Sequence, residues 1–112
     1  MFIEKFLFLL ACHFLADFAF QSAYLAEKKA TSTEHLLYHG AQYTATFIVF
    51  VAIASTVLPF PSAVPLFPIL LLFFSHILID ALKARIKLIK PIWLDQLLHI
   101  SILLALLSFN FY

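Results

Sequence analysis

Glycine is nearly missing from this chain, with one residue in 112, so no glycine-rich phosphate loop of the nucleotide-binding kinds can be written into it. Cysteine is equally scarce. The single Cys12 excludes an internal disulfide, and without further thiolates a closed structural zinc site is not expected. Charge is sparse as well: Asp, Glu, Lys and Arg make up 12% of the residues and the formal net charge is +1, so there is no basic field and nucleic acid is not an expected partner. No H-E-x-x-H zinc-protease signature occurs. What fills the chain instead is apolar, 64% of residues with a mean hydropathy of +1.04, a composition that points to lipid rather than water as the surrounding solvent.

Hydrophobic runs and their interruptions divide the chain into four helices, over about 2–21, 34–58, 66–88 and 92–111. Residues 9–12 (Leu-Leu-Ala-Cys) resemble a lipoprotein cleavage box. The apolar run before Cys12 is shorter than a signal core, though, and hydrophobicity continues to Phe20, so an uncleaved first span is expected. A polar loop is expected over 23–34, with Ser32 or Thr33 capping the second helix. Pro59, Pro61, Pro65 and Pro68 break the chain between the second and third helices. The fold class that follows is all-α, one domain over 1–112: an integral membrane four-helix up-down bundle. Lys28, Lys29, Lys83, Arg85, Lys87 and Lys90 fall in the two loops on one side, which the positive-inside rule makes cytoplasmic, with both termini on the non-cytoplasmic side.

Against this apolar background the three Asp stand out, because each has a His four residues away: His13 with Asp17, His76 with Asp80, and Asp95 with His99. Four-residue spacing puts both side chains on one helical face, and chance alone would place all three so roughly once in a thousand sequences. Gln21 extends the first face by a turn, and His35, His39 and Tyr43 share a face of the second helix. In an up-down bundle all of these meet at the cytoplasmic end. An ionised carboxylate inside a membrane costs roughly 2.5–3.5 kcal/mol on insertion scales, so three of them need partners.

Three explanations fit the pattern. One is a metal site, with His13, Asp17, His39, His76, Asp80, Asp95 and His99 as ligands for a divalent transition metal (Zn, Mn or Fe), in number enough for two ions. Gln21, Tyr43, Lys83 and Gln96 would then support the ligands or hold substrate. Open coordination positions point to a metal-dependent hydrolase, and the neighbouring Lys and Arg residues suit an anionic lipid or phosphate-containing substrate. The same basic residues also serve as ordinary topogenic charge. The second explanation is a proton- or ion-coupled transport or channel subunit, and the third is a structural membrane subunit, a homo-oligomer among the options, whose local His/Asp pairs join helices.

Four motifs in order, H-F-L-A-D-F-x-x-Q at His13 to Gln21, H-G-x-x-Y at His39 to Tyr43, H-I-L-I-D-x-L-K at His76 to Lys83 and D-Q-L-L-H at Asp95 to His99, resemble the bacterial membrane family known as domain of unknown function 3307. The resemblance implies a multi-pass protein of the bacterial inner membrane in contact with membrane lipids, and no activity. A looser similarity is to inner-membrane metal-dependent hydrolases with His and Asp in their membrane helices.

Overall fold

The computed structural model describes residues 2–61, 65–84, 92–109 and 112, and among these it contains helices and no strand. Helix α1 (Phe2–Phe14) passes into a π-helical turn, Leu15–Ala19, closed by the Phe20 N–H donating to the Leu15 carbonyl at 2.7 Å. A short α2 (Ala23–Lys28) follows, its first turn capped by Ser22 Oγ, which accepts from the Leu25 N–H at 3.0 Å. Helix α3 (Thr33–Ala54) is capped by Ser32, and α4 (Leu66–Ala84) and α5 (Ile92–Ser108) complete the set.

Several boundaries differ from the sequence expectation, each for a local reason. The segment 23–34 is not all loop, because Ser22 supplies a cap for one extra turn and a half of helix. Helix α3 stops at Ala54 rather than 58, where the Ser55 and Thr56 hydroxyls donate to the Ala52 and Ile53 carbonyls and compete with the helical pattern ahead of Pro59. Helix α5 ends at Ser108. The expected end of the third helix over 85–88, the basic residues Arg85, Lys87 and Lys90, and position 62 lie outside the described residues.

Helix α1 packs on α3 and α5, and α4 packs on the same two, so the four long helices form a ring with α1 and α4 diagonal to one another. Their directions follow from what meets what. Asp17, just past α1, reaches His39 in the first turns of α3. At the opposite end Lys5 donates to the Tyr112 carbonyl at 2.9 Å, and Phe8 and Tyr112 both lie against Phe60. Sequential helices therefore alternate in direction, and the two ends of the chain meet.

Large apolar side chains lie on the surface as well as in the core, and the interior also holds ionisable groups. Ile3, Leu7, Val49, Ile53, Leu66, Phe74 and Leu78 face outward, whereas four His and all three Asp are buried. Two helices, Thr33–Ala54 and Leu66–Lys83, are long and apolar enough to cross a bilayer, and Ile92–Ser108 is apolar but shorter. The lower interior, built from Leu9, Phe47, Val51, Leu72, Leu103 and Leu106, is purely apolar, and Cys12 lies within this cluster.

The one glycine sits where α3 and α4 come closest. A Cβ at Gly40 would lie 2.7 Å from Ile77 Cγ1, an atom near the branch point of its side chain that cannot simply swing aside. This close approach brings His39 against His76, whose rings are 4.7 Å apart. Gly40→Leu is expected to lower stability by about 3 kcal/mol through overpacking. In denaturant unfolding of detergent-solubilised protein, Val49→Ala on the exposed face should move the midpoint by less than about 0.5 kcal/mol.

Candidate metal centre

Each helix delivers its polar residues to the same end of the ring. The π-helical turn matters most for the first of them. A π turn carries an extra residue, so the chain after it is rotated relative to a continuous α-helix, and His13 and Asp17 diverge in their partners. Asp17 Oδ1 is 3.0 Å from His39 Nε2 and 3.6 Å from His76 Nε2, while His13 turns to Tyr43 and Gln96. Gln21 braces the turn by donating to the Asp17 carbonyl at 3.0 Å.

The other two pairs stay within reach on their own helices, Asp80 Oδ2 3.2 Å from His76 Nε2 and Asp95 Oδ1 3.6 Å from His99 Nε2. They also connect across helices: Asp80 Oδ2 is 3.5 Å from His39 Nε2, and Asp80 Oδ1 is 3.5 Å from His99 Nε2. Asp17, His39, His76 and Asp80 form one buried group of potential ligand atoms lying within 4.8 Å of one another, and Asp17, Asp95 and His99 form another. None of these six residues is more than 5% exposed.

The hydrogen-bond network assigns the protons. Gln42 donates from its amide nitrogen to the Ala16 carbonyl at 3.2 Å, which turns its carbonyl oxygen to His39 Nδ1 at 3.1 Å. His39 Nδ1 therefore donates to Gln42, and its Nε2 points at Asp17 Oδ1 at 3.0 Å and Asp80 Oδ2 at 3.5 Å. Both His76 ring nitrogens, His99 Nε2 and Asp95 Oδ1 are buried without a hydrogen bond, and of these His76 Nε2 lies 3.2 Å from Asp80 Oδ2 while His99 Nε2 lies 3.5 and 3.6 Å from Asp80 Oδ1 and Asp95 Oδ1. The atoms converge on shared space rather than on each other. Donors of this type, imidazole nitrogen and carboxylate oxygen without thiolate, fit Zn, Mn or Fe.

Two ammonium groups close the site from the outside. Lys29 Nζ lies 2.9 Å from Asp80 Oδ2 and Lys83 Nζ 3.4 Å from Asp95 Oδ2. Lys29 and Lys83 are thus the lysines that meet the buried carboxylates among the described residues. Lys29 belongs to the pair read from sequence only as loop charge. Its aliphatic stem carries the ammonium back into the bundle.

His13 is buried in the same cluster, but both of its nitrogens are engaged. Gln96 donates to Asp95 Oδ2 at 3.0 Å and more distantly to Asp17 Oδ2, so its carbonyl oxygen faces His13 Nε2 at 2.7 Å, and that nitrogen must donate. His13 Nδ1 then accepts from the Tyr43 hydroxyl at 2.8 Å. Tyr43 in turn stacks on His76, with ring centroids 3.8 Å apart and planes within 15°. His13, Tyr43 and Gln96 thus form a brace behind the ligand atoms. His35 lies apart, hydrogen-bonded to Ser32 at 2.7 Å. Gln42, which orients His39, is a residue the sequence reading passed over. Its position three residues after His39, on the same helical face, is the signal that points to it.

A family model described as "Protein of unknown function (DUF3307)" matches residues 5–112. The chain belongs to this family. No curated protein and no solved structure matches it. The DUF3307 match spans every residue of the cluster and of its braces, from His13 to His99.

His13→Ala deletes both hydrogen bonds and leaves the Tyr43 hydroxyl and the Gln96 carbonyl buried and unpaired, for an expected loss of about 3 kcal/mol. Thermal unfolding should show the same loss with and without excess chelator, because the loss comes from these two hydrogen bonds.

Proposed function

We propose that this protein is a membrane-embedded, metal-dependent hydrolase acting on a phosphate-containing substrate at the cytoplasmic surface. The observation that carries the reading is the set of buried His76, His99 and Asp95 atoms that make no hydrogen bond, gathered with Asp17, His39 and Asp80 at one end of an apolar bundle. The membrane setting is supported by the apolar exterior and the two helices of spanning length. The orientation is supported by Lys28, Lys29 and Lys83, which lie at the same end as the cluster.

Asp17, His39, His76 and Asp80 would hold a divalent ion, with Gln42 keeping His39 Nε2 free of hydrogen to ligate. Such an ion lowers the pKa of a bound water and polarises a phosphoryl oxygen. The chain's own groups do the rest. Lys29 and Lys83 are the partly exposed side chains bordering the buried carboxylates, so an anionic group approaching from that side meets two ammonium donors first. In hydrolysis the water oxygen bonds to phosphorus, the ester P–O bond breaks, and the proton released by water passes to the departing alcohol.

Two other readings fare worse against particular features. A conduction path through one copy runs into the apolar half of the interior, where Leu9, Phe47, Val51 and Leu103 fill the axis. A purely structural cluster of His/Asp pairs leaves the orphaned nitrogens without a role, since such pairs persist by being hydrogen-bonded.

Full-length protein purified in mild detergent without a His tag should contain at least about one equivalent of a transition metal by elemental mass spectrometry, and Asp80→Ala with His76→Ala should contain less than about a tenth of that. Phosphoesterase activity on p-nitrophenyl phosphate should fall at least about 100-fold in EDTA and return with Mn or Zn. Folded parent protein that takes up no metal sinks the reading. Gln42→Leu should keep the metal but bind it about 10–100-fold more weakly, measured by competition with a chromogenic chelator.

A further inference from the structure

Building on that reading, we propose that the site holds two ions, the second on His99 and Asp95 with Asp17 and Asp80 shared between them, and that the substrate class is accordingly a phosphate ester. A four-coordinate ion on Asp17, His39, His76 and Asp80 uses one set of donors and leaves another untouched. The untouched set is built as carefully as the first. His99 Nε2 and Asp95 Oδ1 are 3.6 Å apart, each residue is 2% exposed, and neither atom has a hydrogen-bond partner.

Asp95 is aimed by its other oxygen. Lys83 at 3.4 Å and Gln96 at 3.0 Å both hold Oδ2, which leaves Oδ1 turned to the interior. Gln96 receives the His13 Nε2–H on its carbonyl oxygen, so its amide hydrogens are directed to the carboxylates and cannot turn away.

The two shared carboxylates are the decisive feature. Asp80 presents Oδ2 to His39 and His76 and Oδ1 to His99, one oxygen to each side. Asp17 belongs to both groups of ligand atoms, with Oδ1 at His39 and Oδ2 near Gln96 beside Asp95. The His76 and His99 rings are 4.6 Å apart, so the two sets are neighbours and not separate sites. Carboxylates facing both ways lower the repulsion between two cations held close together, which is how paired ions are kept at phosphate-ester centres, where they act on both the attacking and the departing oxygen. Lys29 and Lys83 at the border supply the complementary charge for such a substrate.

The test is a titration of chelator-stripped, tag-free full-length protein with Mn²⁺, repeated with Zn²⁺, read by elemental analysis and, for Mn²⁺, by electron paramagnetic resonance. The expected result is saturation at about two equivalents, with the six-line signal of isolated Mn²⁺ replaced at full loading by the broad multiline signal of a coupled pair. His99→Ala should saturate at about one equivalent and recover the six-line signal. Saturation of the parent at one equivalent with an uncoupled signal overturns the second ion and leaves the metal site itself standing. No uptake of either metal overturns both. Because the parent titration alone decides, misfolding of the variant does not blunt the test.

Discussion

Three carboxylates inside an apolar bundle are the constraint on which the rest of this structure depends. Each is expensive to bury unless it meets a cation or a hydrogen-bond donor, and the protein meets the demand from every helix at once. Lys29 comes from beyond α2, Lys83 from the end of α4, Gln96 from α5 and His39 from α3. The donors still fall short of the acceptors. Where a fully satisfied polar core would show closed hydrogen bonds, several imidazole nitrogens point at carboxylates without making one.

The scaffold serves this cluster through two local departures from regularity. The π-helical turn after α1 separates His13 from Asp17, so that one becomes a brace and the other joins the ligand atoms. Gly40 lets α3 and α4 approach closely enough for His39 and His76 to share two carboxylates. Below the cluster an apolar plug of Phe47, Val51, Leu103 and Leu106 closes the bundle. The polar end therefore opens on the side of Lys29 and Lys83.

Much of this was legible from residue spacing. The four-residue His/Asp intervals placed six buried polar residues on inward faces, because an α-helix repeats on that interval. The convergence at one end followed from alternating helix directions. Spacing did not reveal that His13 and Asp17 take different partners, since it assumes a continuous α-helix and a π turn follows α1. Gln42 and Lys29 were overlooked for a different reason: one is an amide among apolar residues, the other a loop lysine, and neither type announces a buried partner.

What the sequence by itself determined is the helical, apolar character of the chain and the list of groups that must be buried together, because both depend on residue type and on a period of 3.6 residues. What only the tertiary structure decided is which carboxylate oxygen faces which imidazole, which nitrogen is left bare, and that Asp17 and Asp80 are shared between two sets of donors. Those are relations between helices separated by tens of residues. They are set by where a π turn rotates one chain and where a missing Cβ lets two others touch, and spacing along a single helix carries no information about either.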